Sequence, residues 1–202
     1  MIRKISLQTV ISILLFCTIA HAQNNNPELL KEPADWTFEK FNLPPVFASS
    51  FPFHGFEELR FSPGMFTKNA HDYFTYAFAA SIDNKTAFTK TDLSNYLNLY
   101  FKGLCFGTAR DRKLTVDTSK IKVILEPQET RKAEAGIYNA VLEVFGVFAD
   151  GAPVTLNMEI KMLADKPASK VYLIFIASPN AVTDDVWKQL YKIRDSVKLP
   201  GH

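Results

Sequence analysis

Apolar and polar positions alternate through most of the chain after Trp36, with the two-residue period of half-buried strands. Trp36 and Phe38 open a first short strand. A second covers 56–61 and stops at Ser62-Pro63-Gly64, where proline presets a turn and glycine can take the positive φ of a type II corner. Over 73–82, Phe74, Tyr76, Phe78, Ala80 and Ile82 share one face of a third strand. Further runs lie at 114–116, 121–125, 137–148, 154–163 and 171–177. In the run at 154–163, Val154, Leu156, Met158, Ile160 and Met162 alternate with Thr155, Asn157, Glu159 and Lys161, giving a covered face and a wetter one. Asp150-Gly151 makes the connection before it a hairpin. The last run is apolar on both faces, which predicts a central strand covered from both sides.

The period lengthens to that of a helix in two places. Leu93, Tyr96, Leu97, Tyr100 and Leu104 predict a helix over 92–106, with Thr91 as N-cap, Asp92 in the first turn and Gly107 as its stop. Val186, Leu190, Ile193 and Val197 form the apolar stripe of a closing helix capped by Thr183, with Asp184 and Asp185 at its positive end. No repeat or second domain is visible. The fold class is therefore α+β: an antiparallel sheet of five to seven strands with two amphipathic helices, over residues 36–199.

Ahead of this domain, Arg3 and Lys4 precede an apolar run over 10–19, too short to span a bilayer, which closes on Ala20-His21-Ala22. That order predicts a signal peptide at 1–22 cut between Ala22 and Gln23, hence a secreted or periplasmic protein. Leu15 and Phe16 before Cys17 do not give the small-residue pattern of a lipoprotein signal. Residues 23–35, with Asn24-Asn25-Asn26 and two prolines, read as a flexible leader. No later stretch has the length of a membrane helix.

Of 23 basic and 21 acidic residues, the signal removes Arg3 and Lys4 and no acid, so the remainder is formally neutral. A whole-molecule attraction to nucleic acid or to acidic membranes is thereby excluded. Only Cys105 remains beyond the signal, so the domain has no internal disulfide and its core must hold it together.

Candidate chemistry gathers around 53–72. His54, Glu57, Glu58, His71 and Asp72 could converge if the turn at Pro63-Gly64 folds the two segments together, and two imidazoles with a carboxylate would suit zinc and a bound water. His54 and His71 are thus the candidate metal ligands, although no metal motif has their spacing. The competing reading pairs Glu57 or Glu58 with Arg60 or a lysine across the sheet. Between the two, Glu58 and Arg60 alternate onto one face and, with Phe53, Phe56 and Met65, would line a ligand pocket.

Cys105 sits near a helix end with no base to stabilise a thiolate and reads as a small buried hydrophobe. Arg110, Arg112 and Lys113, near Lys102, read as a solvated turn interrupted by Asp111. GxSxG, glycine-rich phosphate-loop and CxxC patterns are absent, and no cofactor is expected. The phenylalanines and prolines of 41–66 are the better recognition element, although the segment must also seal a sheet edge, and Trp36 and Trp187 read first as core. Asn84-Lys85-Thr86 is a formal glycosylation sequon.

The run GFEELRFSPGM from Gly55 to Met65, followed by Tyr73-Phe74 and by Tyr100-Phe101-Lys102-Gly103-Leu104-Cys105, resembles a family of uncharacterised secreted bacterial proteins. That resemblance carries no catalytic residue. The order of strands, helix, antiparallel meander and closing helix is similar to the fold of the PsbP photosystem proteins and their Ran-binding relatives, with a local echo in 171–197. This likeness implies an interaction or assembly role. The expectation is a non-enzymatic exported domain that binds a protein or small ligand; the alternative is a hydrolase or metal-dependent enzyme centred on His54, Glu58 and His71.

Overall fold

A computed structural model describes residues 28–83, 88–127 and 135–199; the expected signal peptide, residues 23–27 and the sequon at Asn84 lie outside them. The strands are β1 (Thr37–Leu43), β2 (Gly55–Phe61), β3 (Tyr76–Asp83), β4 (Lys122–Pro127), β5 (Ala135–Phe145), β6 (Pro153–Asp165) and β7 (Lys170–Ser178). The helices are α1 (Lys90–Arg112) and α2 (Asp185–Ser196), with a 3-10 turn at Val46–Ala48. All seven strands form one sheet in the order β1-β2-β3-β7-β6-β5-β4, every pair antiparallel. This is the α+β class read from the sequence, and β7 occupies the middle position its two apolar faces require.

Alternation along each strand assigns side chains to two cores. Leu59, Phe61, Tyr76, Phe78, Leu173 and Phe175 face α1, where Leu93, Tyr96, Leu97, Tyr100 and Phe101 cover them. Phe56, Ala77, Ala79, Ile174 and Ile176 face the opposite layer, built from Val186, Trp187, Leu190 and Ile193 of α2 together with Leu29, Leu30 and Trp36. The segment expected to be a flexible leader is thus, from Glu28 onward, part of the second layer. Its Leu29 and Leu30 are 2% and 1% exposed. Burying each such side chain contributes about 2 kcal/mol.

Several boundaries differ from the sequence reading for local reasons. Helix α1 starts earlier, because Thr89 rather than Thr91 is its cap: its hydroxyl accepts from Asp92 N while the Asp92 carboxylate accepts from Thr89 N, a reciprocal box. The helix also runs through Gly107 to Arg112. The glycines serve packing there: a Cβ at Gly103 would lie 2.6 Å from the Phe47 carbonyl oxygen, so its absence lets the 3-10 turn settle onto the helix. Lys113, with φ of 58°, closes α1 instead.

Asp184, not Thr183, caps α2. Residues 114–116 form no strand, and β3 starts at Tyr76 because Phe74 takes a φ of 51°. The turn after β2 closes with a Met65 N–H to Ser62 carbonyl bond of 3.0 Å, but Gly64 is not among the positive-φ glycines, so the type II corner is not formed. Glycine is needed for close approach: a Cβ would meet Asp72 Oδ1 at 1.9 Å, and the Asp72 carboxylate accepts the Gly64 N–H at 2.9 Å.

Candidate functional site

Strand β2 carries most of the candidate chemistry and distributes it to both layers. Glu57 points toward α1 and is fully buried, with Oε2 accepting the Tyr96 hydroxyl at 2.6 Å and Oε1 the Tyr100 hydroxyl at 2.7 Å. The tyrosines lie one helical turn apart, so α1 presents both hydroxyls to one carboxyl group. Desolvation raises the Glu57 pKa from its ordinary 4.5 to about 8, against the pull of the two hydroxyls and with a further push from Glu39 across β1. The group therefore carries its proton at neutral pH. Burial also raises both tyrosines well above their ordinary range, so neither supplies a phenolate.

Glu58 and Arg60 point to the other layer, on one face as the alternation predicts. What occupies that face is the chain itself. Glu58 Oε2 accepts the successive N–H groups of Leu29 and Leu30 at 2.7 and 2.9 Å, and Oε1 takes Lys40 Nζ at 2.8 Å. Arg60 donates to the carbonyls of Leu30, Lys31 and Trp36 and to Glu28, with its guanidinium 4.4 Å from the Phe38 ring centroid. The pair forms a clamp on the backbone of residues 28–36. The polar pocket expected here is filled from within.

Of the other members of that expected pocket, only Phe56 shares the face of Glu58 and Arg60. Phe56 lies in the α2 layer, whereas Phe53 packs against Phe51, Phe88 and Tyr96 on the α1 side, and Met65, 1% exposed, is in the α1 core. A pocket shared by Glu58, Arg60, Phe53, Phe56 and Met65 is therefore not formed: the sheet separates two of them from the other three.

The candidate metal ligands are separated along the strands. His54 precedes Gly55, which pairs with Ile82 at one end of β2, while His71 follows the turn at the other end, where Phe61 pairs with Tyr76. Seven strand residues put those ends roughly 20 Å apart. His71 Nε2 instead meets Asp184 Oδ1 at 3.1 Å, Asp72 holds the turn at Gly64, and His54 is exposed. Among the described residues no three or more metal-ligating side chains come together. Cys105 is 1% exposed, and burial pushes its thiol up to about 11, as expected of a small core residue.

The aromatic segment also turns inward. Phe51, Phe56 and Phe61 are buried, and Phe47 and Phe66 are partly buried in edge or tilted contacts with Tyr100 and Phe61. Apolar surface is left elsewhere: Val46 is 90% and Phe106 62% exposed, with Leu99 at 37% on the same helix. The sequence signal for these residues was present, since Leu99 and Phe106 stand seven apart on the side of α1 away from its core stripe. A shallow cleft of about 530 Å³, lined by Glu32, Pro33, Lys188, Lys192 and their neighbours on α2, holds none of the candidate residues.

No family model, curated protein or solved structure matches this chain.

Proposed function

We propose that the chain is an exported, non-enzymatic binding domain acting through the outer face of α1 and the adjoining turn at Val46. The observation that carries this reading is the contrast between the two kinds of site. The carboxyl groups and the thiol with unusual surroundings are engaged inside the fold, Glu57 by tyrosines, Glu58 by the N-terminal segment and Cys105 by the core, whereas Val46 and Phe106 are turned outward. Export is supported by the charged, apolar and small-residue order of 1–22, and an interaction role by the PsbP-like order of elements.

An enzyme centred on His54, Glu58 and His71 would need those side chains around a common point. The strand register instead puts the histidines at opposite ends of β2 and commits Glu58 to the N-terminal segment.

The test is a photoreactive amino acid placed at Asn95 of the exported full chain and irradiated in the producing cells. A discrete adduct lost with Phe106→Ser supports the reading. An adduct pattern indifferent to that substitution, or no adduct to either protein or lipid, counts against it. Mass measurement of the exported chain should give Gln23 as its first residue.

A further inference from the structure

Thr91, Asn95, Leu99, Lys102, Phe106 and Arg110 follow one another at intervals of three or four residues and are all exposed, so they form a single stripe along the outside of α1. The 3-10 turn lies beside this stripe. Phe47 sits over Gly103 and Gly107, with its Cβ 3.4 Å from the position of a Cβ on Gly107, so the turn that carries the exposed Val46 adjoins this helix. Val46 is held there by Pro44 and Pro45, which fix the chain just before it.

The charge of this face is one-sided although the chain beyond the expected signal is balanced. Lys102, Arg110, Arg112 and Lys113 stand on or just past the C-terminal half of α1 against Asp111 alone. Asp111 is tied to Arg110 at 2.9 Å, while Lys102 and Lys113 form no ion pair among the described residues. Apolar side chains and long cations thus alternate on a convex cylinder.

The core of a protein–protein interface is depleted in lysine and fits a shaped counter-surface. Here Lys102 sits between Leu99 and Phe106. That mixture suits a fluid surface of anionic groups above hydrocarbon, where cations meet the headgroup phosphates and apolar side chains enter roughly 5–10 Å.

We infer that the outer face of α1 docks on an anionic phospholipid surface, with Val46, Leu99 and Phe106 entering the boundary between headgroups and acyl chains and Lys102, Arg110 and Lys113 meeting the phosphates. This inference rests on the reading of α1 as the recognition face and names its partner. Binding is peripheral and reversible, because the apolar area is small and the attraction is screened by salt.

The test is co-sedimentation of the exported full chain with vesicles of phosphatidylethanolamine containing about one-third phosphatidylglycerol, alongside vesicles of phosphatidylcholine alone. The expected result is binding about tenfold stronger to the anionic vesicles and falling with added salt. Phe106→Ser, Val46→Ser and Lys102→Glu should each weaken it severalfold, while Ile124→Ser, on the other face of the sheet, should not. All four positions are exposed, so unchanged thermal melting separates lost docking from lost folding.

A second measurement uses Phe106→Trp, whose emission should shift to shorter wavelength on anionic vesicles while the buried Trp36 and Trp187 stay constant. Equal binding to both vesicles, no binding at low salt, or indifference to the α1 substitutions overturns the inference. If vesicles fail while the cross-link at α1 still yields a Phe106-dependent protein adduct, the face binds protein and only the lipid assignment falls. If both fail, the reading of α1 falls with it.

Discussion

The Tyr96 hydroxyl donates to Glu57 Oε2 at 2.6 Å across the interface between α1 and β2, in the middle of the larger core. The groups that act on this carboxyl are Tyr96, Tyr100, Tyr76 and Glu39, none of them a cation. It is neutral when the fold is intact at pH 7, and its proton is part of the packing between helix and sheet.

The first prediction is a pH dependence of stability. The folded-state pKa of Glu57, about 8, lies above its ordinary 4.5, so the contribution of its proton is fully present below pH 4.5, declines as pH rises toward 8 and levels off above it. Urea melts of the native chain should show this decline, approaching ~1.4 kcal/mol per pH unit for this group. Glu57→Gln, which cannot ionise, should flatten it and leave the variant relatively more stable at pH 8 than at pH 5. Parallel curves for the two proteins would refute this account.

The clamp on residues 28–36 gives the second. Glu58→Gln puts an amide where a carboxylate takes three donors, so at least one donor loses its acceptor, at a cost of about 2–4 kcal/mol. The urea midpoint should fall accordingly, and the Leu29 and Leu30 amides, protected in the native chain, should exchange faster with solvent. Unchanged exchange at those amides would show that the clamp does not hold the segment.

A third concerns Gly103. Alanine is the better helix former by about 1 kcal/mol, yet its Cβ would stand 2.6 Å from the Phe47 carbonyl oxygen, a backbone atom that can move only with the whole turn. Gly103→Ala should therefore lower stability, by about 1–3 kcal/mol, whereas at exposed Asn95 alanine should be neutral or slightly favourable. A Gly103→Ala protein that melts higher than the native chain would contradict this packing.

The fourth is a rate. With its thiol buried, its pKa pushed to about 11 and its S–H directed at the Phe145 carbonyl at 3.9 Å, Cys105 should react with a disulfide reagent orders of magnitude more slowly in the native chain than in denaturant. Equal rates would place the thiol at the surface.

Much of this architecture was legible along the sequence because it rests on local periodicity. The doubly apolar run at 171–177 identified the central strand, the alternation at 154–163 identified the sheet with a wetter face, and Asp150-Gly151 marked its hairpin. The alternation Glu58-Leu59-Arg60 also placed the two charges on one face. What periodicity could not show was the partner each charge would meet.

Leu29 and Leu30 have no repeating pattern of their own; their side chains pack into the α2 layer and their backbone is bound by Glu58 and Arg60, some thirty positions later. Gly107 looked like a helix stop because the turn at Phe47, which makes a glycine useful inside the helix, is remote in sequence. His54 and His71 converge only if the length of β2 between them is left out.

The strand order carries an entropic consequence. Strands β1 to β3 form one meander and β4 to β7 another, each joining neighbours in sequence, and the sheet becomes continuous only where β3 meets β7. Phe78 and Phe175 stack across that seam with ring centroids 3.9 Å apart. Each meander gains its contacts by closing short loops, whereas the seam must close a loop that holds α1 and most of the second meander. The seam is thus the pairing of greatest loop-closure entropy in the sheet, and Phe78 and Phe175 are stacked on it.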